Sequence, residues 1–125
     1  DYLLRQVWKG SGGGDQFTNR VHIADCVGSI VHVVGLHEHD CEALYLVSDK
    51  TPVKSKDVRR WLAQQMERDP ESLVASARPS QRGGNKQCNP RRIEASGFRF
   101  KYPDFRDGYQ EVIKQFLKEV KGAAA

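Results

Sequence analysis

A chain of 125 residues can bury one modest core, and it reads as a single domain over residues 1–125. Hydrophobic residues make up 38% and charged residues 29%, which argues against a disordered chain, and no apolar run is long enough to cross a bilayer. The net charge of +4 would permit a nucleic-acid surface, but Asp49 and Asp57 lie inside the densest basic cluster, Lys50, Lys54, Lys56, Arg59 and Arg60, so a solvated helix face is the better reading.

Tyr2 to Trp8 carries Leu3, Leu4 and Val7 at helical spacing and reads as the end of a helix. Ser11 to Gly14 is a flexible break. Phe17 to Ile23 reads as a strand, with β-branched Thr18, Val21 and Ile23. A helix should start near Asp25. Its apolar positions Ile23, Val27, Ile30 and Val34 share one face, Asp25 complements the positive end of the helix dipole, and Gly35 is a plausible stop. Leu36 to Glu42 is a polar loop, and Ala43 to Val47 reads as a short buried strand, apolar on both faces. After the turn at Ser48–Pro52, Ser55 can cap a helix that puts Val58, Trp61, Leu62 and Met66 on one face. Asp69 and Pro70 lie in the connection that follows, and Ser76 to Gly84 reads as an irregular surface loop.

Asn89-Pro90 opens a short helix: Asn can cap, and Pro at the first helical position lacks only an N–H that would have no partner there. Gly97 closes it. Asp104 and Asp107 stand three apart, as in a capping box, before a helix whose stripe is Tyr109, Val112, Ile113, Phe116, Leu117 and Val120. Two or three short strands beside one layer of helices need a larger sheet to join.

The segments Asn19 to Asp25, Leu44 to Asp49, and Asn89 to Gly97 running on to Tyr102-Pro103 are similar, in order and spacing, to the C-terminal part of extended or atypical short-chain dehydrogenase/reductases. That group is NAD(P)-dependent and epimerase/dehydratase-like. The resemblance covers roughly Tyr2 to Lys118. It implies an α/β fold, the C-terminal substrate-lobe portion of a Rossmann-type enzyme, in which the strand like Leu44 to Asp49 is the last to join the nucleotide-binding sheet. The chain departs from the family where the chemistry lies. Gly12 to Gly14 precedes a strand, whereas a dinucleotide fingerprint follows one. The family's catalytic Tyr has Lys four residues on; Tyr45 has Asp49 there. Ala24 stands where many relatives place Asp, and Thr18 where sugar-nucleotide epimerases often carry a phosphate-binding Arg. The nucleotide-binding Rossmann half is thus expected to be absent from this chain. Asp rather than Met at position 1 fits a processed, truncated or incomplete polypeptide.

The resemblance places Arg20, His22 and Asp25 at a strand-to-helix junction facing the family's cleft, and Arg78-Pro79 in a second phosphate-binding region. Arg20, His22 and Arg78 are the substrate-binding candidates, since Arg is suited to bidentate anion contacts. The bland alternatives are a hydrogen-bonded structural His22 and a helix-start Asp25. His37, His39 and Cys41 alternate as zinc ligands might, yet a fourth ligand is not evident, so a variable surface loop is preferred and no metal is expected. Cys26 is expected to be a buried structural thiol.

The leading expectation is therefore a substrate-binding portion of an NAD(P)-dependent epimerase/dehydratase-like oxidoreductase that catalyses nothing alone and binds no cofactor by itself. NAD or NADP is expected for a full-length parent, with a sugar-nucleotide or related small molecule as substrate. The alternative is a non-catalytic structural subunit of a larger complex that retains part of this fold. Either implies a partner: the missing Rossmann half or another subunit, with no nucleic acid and no transmembrane segment. Three widely spaced cysteines point to a soluble protein in a reducing compartment, the cytoplasm or the interior of a plastid or mitochondrion.

Overall fold

The computed structural model describes residues 14–67, 69 and 84–124. The expected helix at Tyr2–Trp8, most of the Gly-rich break, and the loop around Arg78 lie outside them. The described elements run in the order β1 (Phe17–Thr18), α1 (Ile23–Val34), a 3-10 turn (Glu38–Asp40), β2 (Val53–Lys54), α2 (Ser55–Gln65), α3 (Arg91–Ala95) and α4 (Phe105–Ala123). β1 and β2 pair antiparallel, Phe17 opposite Lys54 and Thr18 opposite Val53. The fold is thus mixed, helices with a two-stranded antiparallel sheet. No helix among the described residues is long and apolar enough to cross a membrane.

The chain divides into two compact units, one of Asp1–Thr18, Val53–Lys86 and Tyr109–Ala125, the other of Asn19–Pro52 and Gln87–Gly108. In the first, α2 forms because Val58, Leu62 and Met66 recur at helical spacing, and with Ala63 and Ile113 they are its buried apolar side chains. The first turn of α2 needs acceptors for its amides. Ser55 donates to the Gln16 carbonyl (3.0 Å) and Lys56 to that of Gly14 (3.3 Å). Ser55 is itself the first helical residue rather than a side-chain cap. Lys56 pairs with Asp15, which raises the Lys56 amine and lowers the Asp15 carboxyl. Both groups lie in water, so the pair adds little stability. Arg59 is buried too, and burial lowers its pKa.

The stripe expected on α4 is narrower than its sequence pattern. Ile113 is buried, Phe116 and Leu117 are half-buried, and Val112 and Val120 are exposed. Val112 and Ile113 are neighbours in sequence and so lie about 100° apart on the helix. Seating Ile113 inward turns Val112 to the rim. Val120 lies two turns beyond the last buried residue.

The second unit is turned inside out. α1 was expected to bury an apolar stripe, and its buried side chains are instead Asp25 and Ser29. Ile23 is 71% exposed, Val27 53%, Ile30 61%, Val31 67% and Val34 80%. With Ala24 these side chains fill an arc of about 120° that carries no charge. The fully buried positions of this unit, apart from Pro90, are Ile93, Phe105 and four polar residues, Asp25, Ser29, Ser48 and Asp49.

Two expected strands are corrected. Phe17 to Ile23 is a strand only at Phe17–Thr18, because α1 takes over at Ile23. Ala43 to Val47 joins no ladder, and Leu44 and Leu46 are 63% and 49% exposed. A strand exists only against a neighbour, and the described residues supply none here. Its accessibility still alternates: Leu44 and Leu46 are exposed, Tyr45 and Val47 half-buried, as on a strand with one covered face.

Candidate functional site

The sequence candidates Arg20 and His22 lie in the second unit, where the chain enters α1, and Arg78 falls outside the described residues. His22 sits at the N-cap of α1 with extended backbone, and its Nδ1 accepts from the Ala24 amide at 3.1 Å. An imidazole nitrogen here does the work of a Ser or Asp oxygen. The His22 ring stacks on Tyr102, centroids 3.9 Å apart. A Cβ built on Gly108 would stand 3.2 Å from His22 Cδ2, so a side chain there would require the His22 ring to shift by a few tenths of an ångström.

Asp25 anchors the same loop from the next turn. One carboxylate oxygen accepts from the Lys101 amide and the other from the Tyr102 amide, each at 2.8 Å. A buried carboxylate is tolerable only with such donors. Asp25 is thus a clamp as well as a helix-start residue.

Arg20 and Asp49 occupy the other side of the entry. The Asp49 amide donates to the Arg20 carbonyl at 2.6 Å, and the Lys50 amide to that of Pro103 at 2.9 Å. Burial pushes the Asp49 carboxyl above its ordinary range. The Thr51 amide and the Arg20 charge pull it back, and Asp104 pushes it up further. The Arg20 guanidinium lies 5.7 Å from the centre of the Phe105 ring. Arg106 stacks closer on that ring, at 4.4 Å, and pairs with Asp104. Arg20 is thus half-buried at the junction, beside the Phe105 ring and Asp49.

Helix α3 starts one residue later than the sequence predicted: Pro90, expected as its first helical residue, is instead its N-cap and makes no side-chain cap bond. Asn89 accepts from the Arg91 amide at 3.0 Å, and Gly97, at φ 104°, ends the helix in a conformation that suits glycine. Ser96 Oγ donates to the Ile93 carbonyl, so His32 Nε2, 2.9 Å away, must donate to Ser96. Arg92 donates to the Leu44 carbonyl at 3.2 Å. A groove of about 540 Å³ lies between Leu44, Leu46 and the Arg91, Arg92 and Ala95 side of α3. A second, of about 500 Å³, is walled by Phe98, Phe100 and Pro103 and crossed by the Lys50–Glu94 ion pair at 2.8 Å.

His37 and His39 stack 5.6 Å apart on the exposed 3-10 turn, with His39 3.7 Å from Asp40. Among the described residues no group of three or more His, Cys, Asp or Glu could hold a metal. Cys26 is half-buried, less enclosed than expected, and its carbonyl accepts from Ser29. Tyr102 and Asp49 escaped the sequence reading as site residues. Their partners, Asp25 and Arg20, lie far away in sequence, and only the close pairing of Tyr102-Pro103 with the family pattern hinted at that loop.

At the junction His22 is held by the Ala24 amide and the Tyr102 ring, and Arg20 lies beside Asp49 and Phe105. No protein-family model, curated protein or solved structure matches this chain.

Proposed function

We propose that this chain is the substrate-lobe portion of an NAD(P)-dependent epimerase/dehydratase-like oxidoreductase, not catalytic by itself. The supporting observation is the inverted burial of the second unit. Five large β-branched side chains of α1, with Leu44 and Leu46, face outward, while Asp25, Ser29, Ser48 and Asp49 face inward. Contiguous exposed apolar surface of this kind marks an interface. In this reading a nucleotide-binding Rossmann half, on the same polypeptide or another subunit, covers α1 and pairs with the Leu44 to Val47 backbone. That half carries the Gly-rich dinucleotide turn and the Tyr/Lys pair, and NAD or NADP binds there. Arg20, His22 and Arg78 then contact the phosphates of a sugar-nucleotide or a related anionic small molecule. Free Cys26, Cys41 and Cys88 fit a reducing compartment.

One observation favours the second reading, a non-catalytic structural subunit. Arg20, His22 and Asp25 each serve the unit's own architecture, through Asp49 and Phe105, Tyr102, and the Lys101 and Tyr102 amides.

Mass determination of the native polypeptide, paired with calorimetric titration by NAD(H) and NADP(H), separates the two. The oxidoreductase reading expects either a native chain well above 14.1 kDa or a chain of this mass that co-purifies with a second subunit, the native assembly binding a dinucleotide saturably and residues 1–125 alone not. A native assembly that binds no dinucleotide favours the structural subunit. Micromolar binding by residues 1–125 would sink the proposed division of labour.

A further inference from the structure

We propose that the cavity walled by Phe98, Phe100 and Pro103 is a binding site for a small aromatic monoacid, a planar ring that carries one carboxylate and one hydroxyl. The cavity measures about 500 Å³, within the range of small-molecule sites. All its lining residues belong to the second unit. The wall is held in place by backbone bonds. The Gly97 and Phe98 amides donate to the carbonyls of Glu94 (2.9 Å) and Ile93 (3.3 Å), and the Lys50 amide donates to that of Pro103 (2.9 Å). Between these points the Lys101 and Tyr102 amides are fixed on Asp25. The Phe98 ring packs against α1, where a Cβ built on Gly28 would stand 3.5 Å from it. Walls set in advance spare a ligand the entropy of ordering them.

The lining sets the ligand class. Phe98 and Phe100 stand edge to face, centroids 5.0 Å apart, and each is only half-buried, so ring surface stays open to a third aromatic ring. The charges add up to one. Lys50 Nζ and Glu94 Oε2 pair at 2.8 Å and cancel. That leaves Arg99, which lines the same cavity, is exposed, and makes no hydrogen bond or ion pair among the described residues. A guanidinium receives a carboxylate through two parallel bonds, and a single net positive charge matches a monoanion. With Oε2 on Lys50, Glu94 keeps Oε1 as the acceptor for a ligand hydroxyl. The cavity shares no residue with Arg20, His22 and Arg78, so it does not depend on the oxidoreductase reading.

The experiment is saturation-transfer NMR on the native protein, with any bound subunit, using 4-hydroxybenzoate as the probe. Its ring protons should take up saturation, and binding should saturate at low millimolar concentration. Arg99→Gln should weaken it about tenfold, the scale of a hydrogen bond to a charged group, and Phe100→Leu several-fold. Arg91→Gln, on the other groove, should bind as the wild type does. 4-Hydroxybenzyl alcohol, without the charge, should bind about tenfold more weakly, and cyclohexanecarboxylate, without the flat ring, several-fold more weakly. Absence of saturable binding overturns the proposal. So does equal loss in Arg99→Gln and Arg91→Gln, or equal binding of all three probes. Should Phe100→Leu fail to fold, Arg99→Gln and the two analogues decide.

Discussion

Ile30→Ala should change sign according to what lies over α1. Ile30 is 61% exposed. In residues 1–125 alone the substitution removes little buried surface and gains a few tenths of a kcal/mol from the helix propensity of alanine. Chain stability should therefore stay level or rise slightly. If a partner surface covers α1, the same change empties a core position and costs about 2–5 kcal/mol. The scale of the covered face supports the larger figure. Full burial of a Val or Ile side chain stabilises by roughly 1.5–3 kcal/mol. With 53–80% of each of the five side chains still open, roughly 1–2 kcal/mol apiece remains to be gained. The sum, about 5–10 kcal/mol as an upper estimate, is comparable to the stability of a whole domain. Urea unfolding should be run on residues 1–125 and on the full-length native protein with any bound subunit, wild type and Ile30→Ala in each. The native midpoint should fall by about 1 M or more, with no fall for the chain alone. Leu62→Ala, at a position only 1% exposed, should cost about 2–5 kcal/mol in both and serves as the control. An equally small effect of Ile30→Ala in both preparations would refute the covered-face reasoning.

Asp25→Ala should destabilise the second unit by about 2–5 kcal/mol, because it orphans the Lys101 and Tyr102 amides at once; amide exchange at those two residues is the readout, and slow exchange in the variant would dismiss the clamp. Asp49, whose carboxyl is raised by burial, binds its proton more tightly folded than unfolded, so its contribution is fully present below the unfolded value near 3.9 and fades as pH rises through the folded one. Asp49→Asn should consequently gain on the wild type in thermal melts as pH climbs from 3 to 7, and a constant difference would contradict the assignment. On α4, Ile113→Ala should cost about 2–5 kcal/mol and Phe116→Ala less than the 3–5 kcal/mol of a fully buried ring, because Ile113 is 5% exposed and Phe116 only half-buried; the reverse order in thermal melts would move the helix's inner face.

Local signals were legible in the sequence. The Asn89 turn onto the Arg91 amide, the Gly97 stop, and the helices α1, α2 and α4 follow from spacing and turn chemistry within a few residues, although Pro90 and not Asn89 is the N-cap of α3. The facing of α1 does not. Periodicity separates Ile23, Val27, Ile30 and Val34 from Asp25, Ser29 and His32, but it does not say which side a given stretch of chain will cover. The polar side is filled by Ser96, Phe98 and the 101–102 amides, all more than sixty residues away. The same limit explains Leu44 to Val47: its composition predicts a strand, and a strand is a relation to a neighbour. At the site, sequence singled out Arg20 and His22 and assigned Asp25 a role at the helix start. Histidine is an uncommon cap, so its bond to Ala24 had no sequence signature, and the Asp49–Arg20 contact required the folded chain.

The Asp25 clamp also has a history in time. Its partners lie 76 and 77 residues downstream. At 5–20 residues per second, a ribosome needs roughly 4 to 15 s to deliver them after Asp25 is made. During that interval α1 can form, since helices nucleate in microseconds, but its inward carboxylate has no amides to grasp. The nascent helix would then show an unsatisfied polar side and a bare aliphatic side at the same moment. Such a chain needs shelter while it is being made, and a holdase that engages Ile23 to Val34 early should raise the yield of folded protein more than one supplied after release.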